Sequence, residues 1–199
     1  MRYFVIIVVV FCMSFSCKAQ NPVVGLTQKK GSIPDNIYYK DIDGDLDKYV
    51  GTWIYANETT SFTITFRKVI QSFNGKWYDD LLVGDYKYVK NGVVVMDYLS
   101  RINDLTVNNG QHYIYGNRII YPYQDVDCDG CTHMERRIDL FFDDPERRHL
   151  DFALVIRYLN INNVEKIQAN LRVTDIGTVP PNAPLDTRIP YGNYTLIKQ

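Results

Sequence analysis

Apolar and polar positions alternate with a period of two along much of the chain after residue 60, the spacing of a strand that buries one face. Phe62, Ile64 and Phe66 share one face against Ser61, Thr63, Thr65 and Arg67 on the other. The pattern returns in Tyr86 and Tyr88 against Asp85 and Lys87, and in Ile138, Leu140 and Phe142 against Arg137, Asp139 and Asp143. Leu150, Phe152, Leu154, Ile156 and Tyr158 form the longest such face, and Ile167, Ala169, Leu171 and Val173 the next. No long segment carries a helical period. Asn74-Gly75, Asn91-Gly92, Asn109-Gly110 and Asp129-Gly130 are dipeptides that tolerate positive φ and close tight hairpins. Strands joined by short loops pair antiparallel, so the expected fold is all-β. It is an antiparallel up-and-down barrel or barrel-like sheet of about eight to ten strands, with a two-sheet sandwich as the alternative. Pro180, Pro181, Pro184 and Pro190 exclude Gly177–Pro190 from a central strand and mark a long surface loop before a last strand over Tyr191–Lys198.

The start of the chain follows a different grammar. Arg2 precedes an unbroken apolar run, Phe4–Met13, which is too short to cross a bilayer and has the form of a secretory signal. Residues 1–19 are therefore expected to be a signal peptide, cleaved before Cys17 or after Ala19. Ser14-Phe15-Ser16-Cys17 resembles a bacterial lipobox, which makes Cys17 the expected lipidation site and a membrane surface the expected partner. Residues 20–48 read as a linker or extended arm with an acidic turn, in which Asp41–Tyr49 has room for one helical turn. Residues 49–199 read as a single β domain.

Composition narrows the class. With 199 residues, 46% hydrophobic and 23% charged, the chain is globular, and 16 Tyr, 9 Phe and 2 Trp favour β-structure. A net charge of −1 excludes a nucleic-acid partner held by a basic excess. Of the four Cys, Cys12 leaves with the signal and Cys17 is acylated or lost. Cys128 and Cys131 remain, and are expected to pair in an oxidising compartment. A turn brings residues i and i+3 within about 7 Å, inside the range of a disulfide. A redox pair, or a metal site of Cys128, Cys131 and His133 completed by His112 or His149, is the alternative for these two thiols.

Two acidic stretches are candidate calcium sites. Asp125, Asp127 and Asp129 with Gly130 match the start of a calcium loop, but its twelfth position holds Arg136 where a bidentate Glu is required. Asp41, Asp43 and Asp45, with Asp47, are the second candidate. The expectation for cofactors is none, with calcium as the alternative. The chain has no G-x-S-x-G, no H-E-x-x-H and no phosphate-binding glycine loop, so no catalytic residues are assigned and an enzyme is not expected. Asp79-Asp80 and Asp143-Asp144 read as solvated turn acids. Tyr38-Tyr39, Tyr113, Tyr115, Tyr121 and Tyr123 are candidates for a sugar- or lipid-binding surface.

Gly51-Thr52-Trp53 resembles the G-x-W start of lipocalin-type barrels, a resemblance that implies Trp53 as a plug at one barrel end. Over most of its length the chain resembles uncharacterised exported proteins of flavobacterial type, domains of unknown function. The likeness rests on Gly51-Thr52-Trp53, Phe142-Asp143-Asp144-Pro145, and Ile189-Pro190 with Tyr194–Lys198. It implies export and β-structure and brings no catalytic residues. The expected protein is an exported, lipid-anchored β-barrel of the cell envelope at the outer membrane, with a periplasmic or secreted form as the alternative. It is expected to act as a binding module for a small apolar or amphiphilic ligand. The rival is a structural or protein-interaction lipoprotein whose barrel is filled by its own side chains, and a hydrolase comes third.

Overall fold

A computed structural model describes residues 21–28, 35–124, 128 and 130–199. They form eleven strands: β1 (Val23–Gly25), β2 (Tyr38–Lys40), β3 (Gly51–Asn57), β4 (Thr60–Phe73), β5 (Tyr78–Lys90), β6 (Val93–Asp97), β7 (Ile114–Ile120), β8 (Arg137–Phe142), β9 (Leu150–Ile161), β10 (Val164–Ile176) and β11 (Gly192–Lys198). Among the described residues there is no α-helix, only short 3₁₀ turns at Asp47–Tyr49, Leu99–Asn103 and Asn109–Gln111.

Eight strands close a ring in the order β5-β4-β3-β11-β10-β9-β8-β7, sealed where Leu82, Val83 and Gly84 of β5 pair with Gly116, Tyr115 and Ile114 of β7. First and last ring strands meet where β11 pairs with β3 through Ile197↔Ile54 and Lys198↔Trp53. This is the expected up-and-down barrel, and closure removes the sandwich alternative along with most exposed strand edges. Three strands lie outside the ring. β6 pairs with the far end of β5, while β2 runs parallel to β5 and β1 parallel to β2. The segment preceding the barrel is thus partly built into the domain, with Ile37, Tyr38 and Tyr39 buried.

Alternation sorts the two faces. The inward set includes Trp53, Phe62, Ile64, Phe66, Tyr86, Ile138, Leu140, Phe142, Leu154, Ile156, Ile167 and Leu196, all buried in one cluster. Phe62 lies at its centre, with ring contacts to Tyr86, Tyr88, Phe142 and Tyr194 at 5.2–6.4 Å. Gly84 faces inward opposite Phe66, and a Cβ there would meet the Phe66 ring at 2.7 Å, so only glycine leaves room for that ring. The interior is occupied by the barrel's own aromatic and branched side chains. Trp77 sits at the β4–β5 turn against Tyr39, rings 5.9 Å apart, outside the barrel interior.

Between β6 and β7 the chain leaves the wall over residues 98–113. This excursion covers the outer side of β5, which explains why Val83 and Asp85 are as buried as their inward neighbours.

Candidate functional site

The expected site residues divide into structural anchors and a smaller set that faces solvent. Trp53 is fully buried, edge-on to Tyr158 at 6.3 Å, and its indole N–H donates to the Tyr49 carbonyl at 2.7 Å. The 3₁₀ turn Asp47–Tyr49 therefore packs with the Trp expected at a barrel end. Cys128 and Cys131 come to disulfide distance, with Cα atoms 5.5 Å apart. Arg157 holds this loop against β9 through Glu135 and the Gly130 carbonyl. That pairing holds the Glu135 carboxyl below its ordinary range. His133 lies on the Tyr123 ring at 5.0 Å. Cys17, Asp125, Asp127 and Asp129 lie outside the described residues.

The acidic turn supplies its own counter-charges. Asp41 accepts from the backbone N–H of Asp45 at 2.8 Å and of Leu46 at 3.0 Å, and takes Lys68 at 2.8 Å. Asp47 also holds Lys68 at 2.7 Å, while Asp43 and Asp45 meet Arg136 at 2.8 and 3.4 Å. Burial raises the Asp45 carboxyl, with Arg136 and Lys48 opposing. Among the described residues no three His, Cys, Asp or Glu side chains gather as a metal site.

Asp79 and Asp80 are not solvated turn acids. Both lie in β5 and are buried, because β2 and the β4 bulge close over this end of the strand. Asp80 accepts the Tyr38 hydroxyl at 2.6 Å and the N–H groups of Asp41 at 2.9 Å and Gln71 at 3.0 Å. Gln71 sits at the bulge with φ of 54°, which turns its N–H toward the carboxylate. Burial and the adjacent carboxylate push the Tyr38 hydroxyl well above its ordinary range. Asp79 accepts the Trp77 indole N–H at 2.7 Å and the Asn117 amide at 3.1 Å. Asp144 is likewise buried, gripped by Arg188 from the proline-rich loop. Its neighbour Asp143 is half-buried, and burial raises its carboxyl.

A second buried pair lies beneath the excursion. His112 Nδ1 meets Asp85 Oδ2 at 2.6 Å with both side chains fully buried, and Asp85 also accepts the Tyr113 N–H at 3.2 Å. His112 Nε2 has no hydrogen-bond partner.

The outer wall of β7–β10 presents an aromatic pair to solvent, and β6 and β4 expose Val93, Val94 and Ile70 elsewhere. Tyr115 and Phe141 are ladder partners pointing outward, with rings stacked at 5.1 Å and Phe141 64% exposed. Two grooves of about 440 Å³ flank this pair. One is lined by Phe73, Trp77, Asn109 and Asn117, the other by His112, Asp143, Arg148 and Asp151. Beside the pair, Arg118 Nε donates to Asp139 Oδ2 at 2.8 Å, while Asp139 Oδ1 is buried without a partner. A smaller groove of about 200 Å³ by Cys128 includes Arg157, already committed to Glu135. Sequence reasoning noted Tyr115 and missed Phe141. The available signal was a Phe on the polar side of an alternating strand, among Arg137, Asp139 and Asp143.

Fold and surface together define an all-β protein with a closed eight-stranded antiparallel barrel, of the lipocalin-like form, with a filled interior and grooves on its outer wall. The chain belongs to a family of unknown function, DUF6705, whose model matches residues 1–199. No curated protein and no solved structure matches it.

Proposed function

We propose that the chain is an exported β-barrel, tethered to a membrane surface of the cell envelope through a lipid on Cys17, that serves as a non-catalytic recognition domain. Its binding face is the outer wall of β7–β10. The observation that carries this reading is the filled interior, where Phe62 meets four other rings, beside an exposed Tyr115–Phe141 pair bordered by grooves. A lipocalin-like carrier needs a hollow mouth, and these side chains occupy that space. The filled-barrel alternative from the sequence is thus favoured over a ligand held inside. The non-catalytic reading rests on the missing motifs and on the use of Asp79, Asp80 and Asp144 as structural acceptors.

The test is the intact mass of the protein exported from a Gram-negative host, under native and then denaturing, non-reducing conditions. The expected result is a chain acylated at Cys17, two hydrogens light for the Cys128–Cys131 bond, with no passenger released on denaturation. A released apolar passenger would place the ligand inside and overturn the outer-face reading. An unlipidated chain beginning at Gln20 would remove the tether.

A further inference from the structure

The first described residues lie at one end of the barrel, beside the β4–β5 hairpin. β1, β2 and β5 run parallel, with Val23, Tyr38 and Tyr78 level with one another. The Tyr38 N–H donates to the Pro22 carbonyl at 2.9 Å, and the Asn36 N–H donates to the Lys76 carbonyl at 2.8 Å. Pro22 is therefore two strand spacings, about 10 Å, from the hairpin. Cys17 is five residues before Pro22, so a lipid there is held within about 18 Å of it even on a fully extended chain. Given the lipid tether of the proposed function, on which this inference rests, the hairpin end of the barrel faces the bilayer.

The surface at that end has the make-up of a membrane-interface contact. Val23, Tyr38, Tyr78 and Phe73 are ladder partners across β1, β2, β5 and β4, so their side chains share one face of the sheet. Val23 is 52% and Phe73 53% exposed, and the Phe73 and Tyr78 rings pack at 4.8 Å. Ile70, at the β4 bulge, is 69% exposed. Trp77 at the tip is half-buried, with Lys76 Nζ 5.6 Å from its ring centroid. Trp and Tyr with Lys beside them settle at headgroup level, rings in the apolar boundary and polar atoms in water. Fixed charge at this end is balanced, since Lys76 lies 3.7 Å from Asp35 and Lys68 answers Asp41 and Asp47. The contact therefore suits a zwitterionic surface and does not call for anionic lipid.

We propose that the tip of the β4–β5 hairpin, with Val23 and Ile70, is a second membrane contact that rests on the headgroup–acyl boundary of the bilayer holding the Cys17 lipid. The lipid supplies attachment, and the hairpin supplies the second point of contact that stops a single tether from swivelling. Phe141 pairs with Tyr115, which is level with Val83, five residues along β5 from Tyr78. That is about 17 Å along the strand from the tip, so docking leaves the Tyr115–Phe141 wall in water.

The experiment places the exported, acylated protein in vesicles of phosphatidylcholine and phosphatidylethanolamine, with and without a nitroxide on the lipid headgroup, which quenches nearby tryptophan. The chain has two tryptophans and Trp53 is fully buried, so Trp77 reports on the tip. Parent emission is expected to fall in the nitroxide vesicles, and Trp77→Phe should lose at least about half of that quenching. Phe73→Trp added to Trp77→Phe should restore it, because position 73 lies on the exposed row. Val23→Ser with Phe73→Ser, both at exposed positions, should cut quenching at least about twofold while the protein still floats with the vesicles on its lipid. The proposal is overturned if acylated, floating protein emits equally with and without nitroxide, or if Trp77→Phe or the double serine variant is quenched like the parent. The tether reading survives each of those results. Absence of an acyl group on Cys17 would overturn the tether reading and this inference with it. Unquenched emission with a dimer mass in detergent micelles would assign the patch to a second copy of the chain and overturn the membrane contact.

Discussion

Replacing Asp80 by alanine removes the acceptor of three hydrogen bonds at once: the Tyr38 hydroxyl at 2.6 Å, the Asp41 N–H at 2.9 Å and the Gln71 N–H at 3.0 Å. The site is sealed, with Asp80 only 2% exposed, so water cannot step in without opening the packing of β2 on β5. A hydrogen bond to an ionised carboxylate contributes about 1.5–3 kcal/mol, which sets an upper range of about 5–9 kcal/mol for the three. The alanine variant no longer desolvates a charge, and that relief returns several kcal/mol, leaving a net loss of about 3–5 kcal/mol. With an m-value of about 2 kcal/mol/M in urea, the unfolding midpoint should fall by about 1.5–2.5 M. Asp80→Asn keeps the shape and one acceptor oxygen, and should lose roughly half as much. Because Tyr38→Phe removes one of the same bonds, Asp80→Ala combined with it should cost less than the sum of the single changes. Asp43→Asn is the control, since this acid is 56% exposed and pairs with Arg136 at the surface, where such a pair contributes less than about 1 kcal/mol. A midpoint shift below about 0.5 M for Asp80→Ala would refute the assignment of Asp80 as the acceptor that fastens the arm to the barrel.

Arg188→Ala leaves Asp144 as a buried unpaired charge, and should cost about 3–5 kcal/mol, read as a fall in Tm of roughly 10 °C; a fall under about 3 °C would contradict the pairing. Reducing Cys128–Cys131 should lower stability by no more than about 2 kcal/mol, because the loop it closes is short, and a larger loss on calorimetric melting would mean the clamp holds more than its own turn. The raised Asp143 carboxyl holds its proton more tightly in the folded state, so its contribution is most favourable at low pH and is lost as pH rises through its folded value. Asp143→Asn should therefore stabilise the protein at neutral pH and remove that part of the pH dependence, read in urea melts from the acid to the neutral range. Glu135 behaves oppositely: its lowered carboxyl contributes stability above its unfolded value that is lost as pH falls through the folded one, and Glu135→Gln should erase that acid-side loss.

The sequence was most readable where one strand face meets water. β4, β8 and β10 show an alternation because their outer positions are largely polar, and they and β9, whose outer Ala153 and Val155 are also buried, carry the expected inward sets. β5 was harder to read in full, since its outer residues Val83 and Asp85 are covered by the excursion, a long-range fact that no local pattern encodes. The β9–β10 turn uses Asn162 and Asn163, both at positive φ, with no glycine to mark it. Asn109-Gly110, which does look like a hairpin turn, lies instead in the 3₁₀ turn of the excursion. Asp79 and Asp80 looked like surface acids because adjacent carboxylates usually are. Their donors come from Tyr38, Asp41 and Gln71 on one side and from Trp77 and Asn117 on the other, partners separated by up to 42 residues. The candidate face was half legible: Tyr115 stood out by composition, whereas Phe141 becomes a site residue only once its strand's outward side is known.

The claim that the barrel works from its outside is tested most directly by fluorescence quenching of Trp53 with brominated lauric acid, in the Trp77→Phe variant so that only the buried indole reports. A filled interior predicts that Trp53 emission stays unchanged as the brominated acid is added. Saturable quenching of Trp53, reversed by unlabelled laurate, would mean that an apolar chain enters the barrel, and would contradict the account.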